Sequence, residues 1–449
     1  MNFYQDIFFR SMDLLRGRQT IKRLGFLRKS QFWSRDQLES WQLNRLNLLL
    51  IHASNESPFY KKRLEGIQLP LTSLEQIEQI PILTKEEIRN NGEDIRCRDV
   101  PESRFVASRT GGSTGEPMQY FWDKRGMDWN RGTVYRSAEW AGVQLGEKTA
   151  QMSGSHFDYS EMQNLKSKII FWLQRYRDFP VAFLDRALMD RYVKEIVEYQ
   201  PTSIWGYAGG IHLLARHILE NYPEQQFPFL KAIITSSENL FPEQREVINR
   251  AFGGEKVFDN YGSREMYMAA ECDQHNGYHI HAEVIYLEVV DKHNRRCAPG
   301  ELGRVILTDL SNHAFPFIRY EIGDIGRMAN DEECACGVRL PRLQSVDGRI
   351  ADIVVAGDRI LTAPNFTLIF SDLDGVDAYQ IRQDHEDSIE VFIVPGKNFT
   401  ESVFSYIDNS LKELTAGKLK ISINRVDQIA VPESGKRRFI ISTIGKEKL

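Results

Sequence analysis

Apolar residues recur at helical spacing in several stretches of the chain. Residues 34–53 open with Ser34, carry Gln37 three positions on, and set Leu38, Trp41, Leu48 and Leu49 among polar residues, which predicts a capped amphipathic helix. The same spacing predicts helices over 184–199, 211–219 and 242–251. Between them lie short β-rich runs, 232–235, 284–290 and 305–308. Alternating helices and strands of this kind predict an α/β body with buried sheets. The last hundred residues differ: an alternating strand over 389–394, a helix from about Thr400 to Leu414 and a closing strand pair have the size of a small α+β domain. The turn-forming Asp347-Gly348 places the junction, giving domains of 1–347 and 348–449.

The longest uninterrupted apolar runs are about five residues, as in Ile169–Leu173, against the ~20 needed for a membrane-spanning helix. The first residues place an acid and several basic residues inside the apolar stretch and offer no small-residue cleavage site, so a cytoplasmic location is expected. Lys and Arg number 57 against 62 Asp and Glu, a net charge of −5, which argues against a nucleic-acid partner. Five cysteines in 449 residues are too few for a disulfide framework and leave reduced thiols or metal ligands.

Chemistry concentrates first in Ser108-Arg109-Thr110-Gly111-Gly112-Ser113-Thr114-Gly115-Glu116-Pro117, where three glycines and four hydroxyl residues share ten positions. Glycines let backbone N–H groups approach phosphate oxygens, and Ser or Thr hydroxyls can donate to phosphate or ligate Mg²⁺. Alone, such a run is as well read as a polar surface turn, and the Walker lysine pattern is absent. Four further motifs follow: Asp259-Asn260-Tyr261-Gly262-Ser263-Arg264-Glu265, Phe317–Asp324, Gly348–Asp352 and Gly435-Lys436-Arg437-Arg438.

In order and spacing these five motifs resemble the adenylate-forming ligase superfamily, and within it the phenylacetate-CoA ligase-like and capsular-polysaccharide-biosynthesis branch. The resemblance runs from Ser57-Pro58-Phe59-Tyr60 to Lys436. It implies an α/β multi-sheet N-terminal adenylation body and a mobile C-terminal lid, with ATP and Mg²⁺ as cofactors. A carboxylic acid would displace pyrophosphate from ATP to give an acyl-adenylate, and an amine, a hydroxyl or coenzyme A would then accept the acyl group. By matching position, Thr110, Gly111, Gly112, Ser113, Thr114 and Gly115 would hold phosphates. Tyr261 would stack on adenine, in a motif with Asn260, Gly262 and Ser263, while Ser237 and Glu238 would face the adenine edge. Glu265 would ligate Mg²⁺, and Arg264 could pair with phosphate or a substrate carboxylate. Asp324 would bind ribose, since one carboxylate accepts from both hydroxyls. Arg349 would add a ribose or phosphate contact, and Lys436 would be delivered to the bond-forming centre to stabilise developing charge.

The chain departs from the superfamily at Glu116, where many members have lysine, and at Ala351, where many relatives have the hinge aspartate, with Asp352 next. These substitutions keep a non-catalytic nucleotide-binding homologue open, against the presence of Glu265, Asp324, Arg349 and Lys436 together. An aryl- or acyl-CoA ligase is the other alternative to a ligase acting in surface polysaccharide synthesis.

Cys272, Cys334 and Cys336 with a histidine offer the donor set of structural zinc, and four protein ligands leave no open catalytic position. His279 fits the branch's Gly-x-His pattern, and His275 fits local Cys-x-x-His spacing. Acid-pocket candidates are Ser153–Phe157, Trp205–Gly210 and Ser236–Asn239, a mixture suited equally to an aryl acid or a sugar acid. The N-terminal stretch interleaves Phe3, Tyr4, Ile7, Phe8, Phe9, Met12, Leu14 and Leu15 with Arg10, Arg16, Arg18, Lys22 and Arg23. That pattern reads either as a helix packed on the body or as one lying on an anionic membrane surface.

Overall fold

The computed structural model describes residues 4–109, 118–152, 165–181, 184–357, 359–370, 373, 375–429 and 439–444. The fold is α/β, and its contacts divide it into two units. The first comprises 1–288, 306–322 and 328–345, and the second 289–305, 323–327 and 346–449. The division falls inside strands: β10 (Ile285–Val290), β11 (Gly303–Asp309), β12 (Tyr320–Met328) and β13 (Arg342–Arg349) each contribute residues to both.

The first unit is built on β3 (Thr149–Met152), β4 (Tyr176–Asp178), β5 (Ser203–Tyr207), β6 (Ala232–Ser236), β7 (Val257–Gly262), β8 (Tyr267–Ala270) and β9 (Tyr278–Ile280). The strand order β13-β9-β8-β7-β6-β5-β3-β4 joins a parallel half, β4 to β7, to an antiparallel half, β7 to β13. The parallel strands are connected by the predicted helices, observed as Arg186–Tyr199, Ala208–Asn221 and Pro242–Phe252. Alternation along a strand separates two cores. Ile233 packs with Leu214, Ile218, Ile248 and Phe252, whereas its neighbour Ile234 packs on the other face with Ala138 and Phe258. Each fully buried side chain of this kind contributes roughly 1.5–3 kcal/mol.

The first predicted helix spans Arg35–Glu56, with the Ser34 hydroxyl accepting from the Gln37 N–H and the Gln37 side chain accepting from the Ser34 N–H. A hairpin of β1 (Phe105–Arg109) and β2 (Gln119–Asp123) closes with Arg109 opposite Gln119. The N-terminal stretch is largely packed: Phe9 is buried with Leu24 and Leu145, Arg18 pairs with Asp128, and Arg23 lies 4.3 Å over the Trp129 ring. Leu14 and Leu15 remain 82% and 84% exposed. Among the described residues no helix is long and apolar enough to cross a membrane.

In the second unit the sheet order is β18 (Lys420–Arg425), β17 (Ser388–Pro395), β16 (Val376–His385), β19 (Ile440–Ser442). The closing strands therefore do not pair with each other. Each adds in parallel to an opposite edge of the β16–β17 hairpin. The predicted helix is present as Glu401–Leu414, and buried Gln383 of β16 exchanges two hydrogen bonds of 2.8 Å with Val355 of β14 (Val354–Ala356).

A charged centre lies inside the first unit. Arg136, on the helix Lys124–Trp140, donates to both oxygens of Glu283 at 2.6 and 3.0 Å, with neither side chain exposed. Its Nη2 also lies 2.9 Å from Nδ1 of His281, a ring stacked between Trp140 and Tyr267. Burial and the neighbouring guanidinium hold His281 neutral, so Nδ1 accepts and Nε2–H donates to Ser137 Oγ at 3.2 Å. Glu283→Ala strands the guanidinium in this interior, and denaturant unfolding should show a loss of about 3–5 kcal/mol.

Candidate nucleotide and metal sites

The C-terminal ends of parallel strands carry the candidate groups, as expected for an open α/β sheet. β5 ends at Tyr207, β6 at Ser236 and β7 at Asn260-Tyr261-Gly262. Ser237 follows with φ 70°, a strained conformation for a residue with a side chain. The Glu238 carboxylate accepts from the Gly209 N–H at 2.9 Å, capping the first turn of the helix Ala208–Asn221. Asn260 and Tyr261 are buried, and the Asn260 Nδ2 has no hydrogen-bond partner among the described residues. A buried amide donor in that state favours an acceptor from a ligand.

Ser263-Arg264-Glu265 form the turn from β7 to β8, where the Ser263 hydroxyl accepts from the N–H groups of Glu265 and Met266 at 3.2 and 3.3 Å. Glu265 is buried and accepts from the Tyr320 hydroxyl at 3.1 Å. Tyr320 is placed by its neighbour Arg319, whose guanidinium grips Glu288 at 3.0 and 3.2 Å and donates to the carbonyls of Glu78 and Ile80. The Arg264 carbonyl accepts from the Tyr120 hydroxyl at 2.5 Å, and that hydroxyl accepts from Ser108 Oγ at 3.0 Å. Both stems of the hairpin that carries the Gly/Ser/Thr run are thereby fastened to the turn holding Glu265. Thr110, Gly111, Gly112, Ser113, Thr114 and Gly115 lie outside the described residues, as do Lys436 and the pocket candidate Ser153–Phe157. In the second unit, Asp324 and Arg349 form an ion pair of 3.6 Å.

The sulfurs of Cys272, Cys334 and Cys336 and a nitrogen of His279 all lie within 4.8 Å of one another. Cys272 and Cys334 sulfurs are 3.7 Å apart, and Cys336 Sγ is 3.3 Å from His279 Nε2. A tetrahedral ion with Zn–S bonds of about 2.3 Å separates two sulfurs by about 3.8 Å, so the donor set fits zinc. Burial lowers His279 to about 4, and its Nδ1 faces the Leu340 carbonyl at 3.4 Å, leaving the Nε2 lone pair to ligate. Gly277 has φ 78°, and a Cβ there would meet the Leu343 carbonyl oxygen at 2.3 Å; the turn from Cys272 to His279 requires glycine. His275 does not join the cluster. It takes φ 47°, turns its ring against Phe258 and points Nδ1 at Glu271, 3.3 Å away.

Behind Asn260 lies a buried network that the motifs did not disclose. The Asp259 carboxylate accepts from Thr235 Oγ1 at 2.6 Å and from the Tyr278 hydroxyl at 2.8 Å. Glu271 accepts the Asp259 N–H at 2.8 Å and is held by both Nη2 contacts of Arg245, at 2.7 and 2.8 Å. The one signal in the sequence is the single acid, Asp259, inside the otherwise uncharged run 257–261. Burial, then the Glu271 charge, pushes Asp259 up to about 7. A folded-state value raised above the unfolded 3.8 adds stability that is complete below the unfolded value and is lost as pH rises through about 7. The stability difference between the parent chain and Asp259→Asn should therefore fall between pH 5 and 8, by at most about 1.4 kcal/mol per pH unit. Denaturant midpoints of both chains at each pH would measure it, and a constant difference would contradict the raised value.

Residues 354–443 match the family model described as the CapK C-terminal domain. The chain is 24% identical over 409 residues to Protein CapK of Staphylococcus aureus, covering 88% of this chain and 86% of that protein. It is 24% identical over 403 residues to the phenylacetate-coenzyme A ligase of Pseudomonas putida, covering 86% and 88%. The fold matches the crystal structure of 2-hydroxyisobutyryl-CoA ligase in the postadenylation state with a TM-score of 0.74 and 22% identity, over 93% of this chain and 92% of that one. The C-terminal domain match and these relatives, each covering more than four fifths of the chain, agree with the five motifs in register, and together they support the resemblance to the adenylate-forming ligase superfamily, in the branch of phenylacetate-CoA ligase and CapK.

Proposed function

We propose that this protein is an ATP-dependent carboxylate ligase that forms an acyl-adenylate and passes the acyl group to an amine or hydroxyl acceptor, in surface polysaccharide synthesis. A carboxylate oxygen of the acid bonds to the α-phosphorus, the bond to the bridging oxygen breaks, and pyrophosphate leaves with that electron pair. The acceptor then adds to the acyl carbon, loses its proton, and AMP departs. The observation that carries this reading is the Tyr120 hydroxyl, which ties the stems of the Gly/Ser/Thr run to the Arg264-Glu265 turn. It supports phosphate binding by 110–115 beside the carboxylate that would hold Mg²⁺, which shields phosphate charge when bound. The open Asn260 amide supports an adenine edge next to Tyr261, with Ser237 and Glu238 directly after the adjoining strand β6. Asp324 and Arg349 would serve the ribose, and Lys436 the charge that develops between carboxylate and phosphate.

A cleft of about 380 Å³ in the first unit, lined by Trp122, Trp205, Tyr135, Phe171, Arg131 and Gln151 among others, is the candidate acid pocket. Its mixture of rings with polar groups supports a ring-bearing acid with hydroxyl or amide substituents. Cys272, His279, Cys334 and Cys336 would hold a structural zinc. Coenzyme A as acceptor is the second reading, favoured by the phenylacetate-coenzyme A ligase of Pseudomonas putida among its relatives. The exposed Leu14 and Leu15 beside exposed Arg10 and Arg16 support contact with an anionic membrane surface. Cosedimentation with vesicles containing anionic lipid should drop to background in Leu14→Ser/Leu15→Ser, and equal sedimentation of the two chains would exclude this contact.

Pyrophosphate release with hydroxylamine as trap, across aryl, fatty, amino and uronic acids, tests the first half-reaction without a known acceptor. Turnover with at least one acid is expected, and Lys436→Ala should lower it by about 100-fold or more, the scale of removing one preorganised charge stabiliser. ATP binding should survive that substitution. Full turnover in Lys436→Ala would remove the lysine from the mechanism, and hydroxamate from no acid with ATP bound would favour a nucleotide-binding homologue.

A further inference from the structure

The metal cluster and the candidate adenine site share a run of neighbouring residues. Glu271 directly precedes Cys272, and Tyr278 directly precedes His279. These two residues grip the residue before Asn260 from the end of β8 and from β9. The Glu271 N–H donates to the Asp259 carbonyl at 3.0 Å while its carboxylate accepts the Asp259 N–H at 2.8 Å. The Tyr278 hydroxyl donates to Asp259 Oδ2 at 2.8 Å. Arg245 ties the same lattice to the start of β7, donating to the Val257 carbonyl at 2.6 Å and to Glu271.

Cys334 and Cys336 come from a different segment, the turn before β13, and their sulfurs meet Cys272 and His279 at the clustered donor atoms described above, beside the pairing of β13 with β9. An ion bonded to all four clamps that turn to the ends of β8 and β9. Without it, the three sulfurs and the imidazole have little mutual attraction, and the backbone that carries Glu271 and Tyr278 keeps its strand pairing but loses the cross-link through Cys334 and Cys336.

We propose that metal held by Cys272, His279, Cys334 and Cys336 sets the position of Asn260 and Tyr261 through Glu271 and Tyr278, so that metal occupancy tunes nucleotide affinity. Glu271 and Tyr278 are positioning residues in this scheme. It rests on the reading of Asn260 and Tyr261 as the adenine site. Coupling between two sites is reciprocal, so nucleotide must tighten the hold on metal by the same factor that metal tightens the hold on nucleotide.

The test uses the full chain with zinc or cobalt, metal content measured per chain, and mant-ATP with Mg²⁺ as the fluorescent probe. Removing zinc from the folded chain should weaken mant-ATP at least ~5-fold, the lower end of ordinary coupling between sites. Tyr278→Phe and Glu271→Gln, each still holding one metal per chain, should show part of that loss, appearing in the KM for ATP more than in kcat. ATP added to the cobalt-loaded chain should shift its thiolate-to-cobalt absorption and slow extraction by a chelator. Should the metal-free chain unfold, the two metal-loaded variants decide the matter. Equal mant-ATP affinity in the parent and both variants, or a chain that takes up no zinc or cobalt, overturns the inference while leaving the ligase reading intact. A zinc-loaded chain that does not bind mant-ATP overturns both.

Discussion

Buried charge is the constraint on which the first unit depends. Moving an ionised side chain out of water costs several kcal/mol, and only a well-aligned partner offsets it. Among the described residues, Arg136 with Glu283 and Arg319 with Glu288 meet that condition fully, and half-buried Arg245 meets it with buried Glu271. Each joins segments remote in sequence. A one-residue slip in β10, which carries Glu288 and follows Glu283, would leave guanidinium and carboxylate groups unpaired in the interior, so the pairs reinforce the register that the apolar alternation already favours.

The same pairs place the chemistry. Arg319 anchors the backbone from which Tyr320 reaches Glu265, and Arg245 fixes the Glu271 carboxylate that latches Asp259 ahead of Asn260. Glu265 is a buried carboxylate whose structural partner is a neutral hydroxyl at 3.1 Å. Tyr120 performs a quieter task. Its hydroxyl is both donor and acceptor, so one atom links the Ser108 side chain to the Arg264 carbonyl across the mouth of the β1–β2 hairpin.

Helices were legible wherever their caps and apolar spacing were local. Ser34 and Gln37 make the reciprocal bonds expected of them, and Pro242 opens the last of the predicted helices in the first unit. Pairing partners were not legible in the same way. The strands β18 and β19 look like a closing pair because they are neighbours in sequence, but each finds its hydrogen bonds on an opposite edge of a hairpin already formed. His275 and His279 illustrate the difference at the level of one side chain. Cys-x-x-His spacing would allow His275 to reach the sulfurs, yet the left-handed turn at His275 directs its ring to Phe258 and Glu271. His279 sits in β9 opposite Arg342, which brings it to the segment after Cys334 and Cys336.

By itself the sequence determined the α/β class, the principal helices, the order of the five motifs and the chemical types at each candidate position, because these depend on short-range pattern and on residue identity. Tertiary structure decided which histidine meets the three sulfurs, how Tyr320 and Tyr120 hold the Arg264-Glu265 turn, and that Asp259, Glu271, Tyr278 and Arg245 form one network behind Asn260. Those outcomes depend on strand register and on the pairing of charges separated by tens to hundreds of residues. No local pattern records such pairings, since each partner is an ordinary polar residue until the fold removes the water around it.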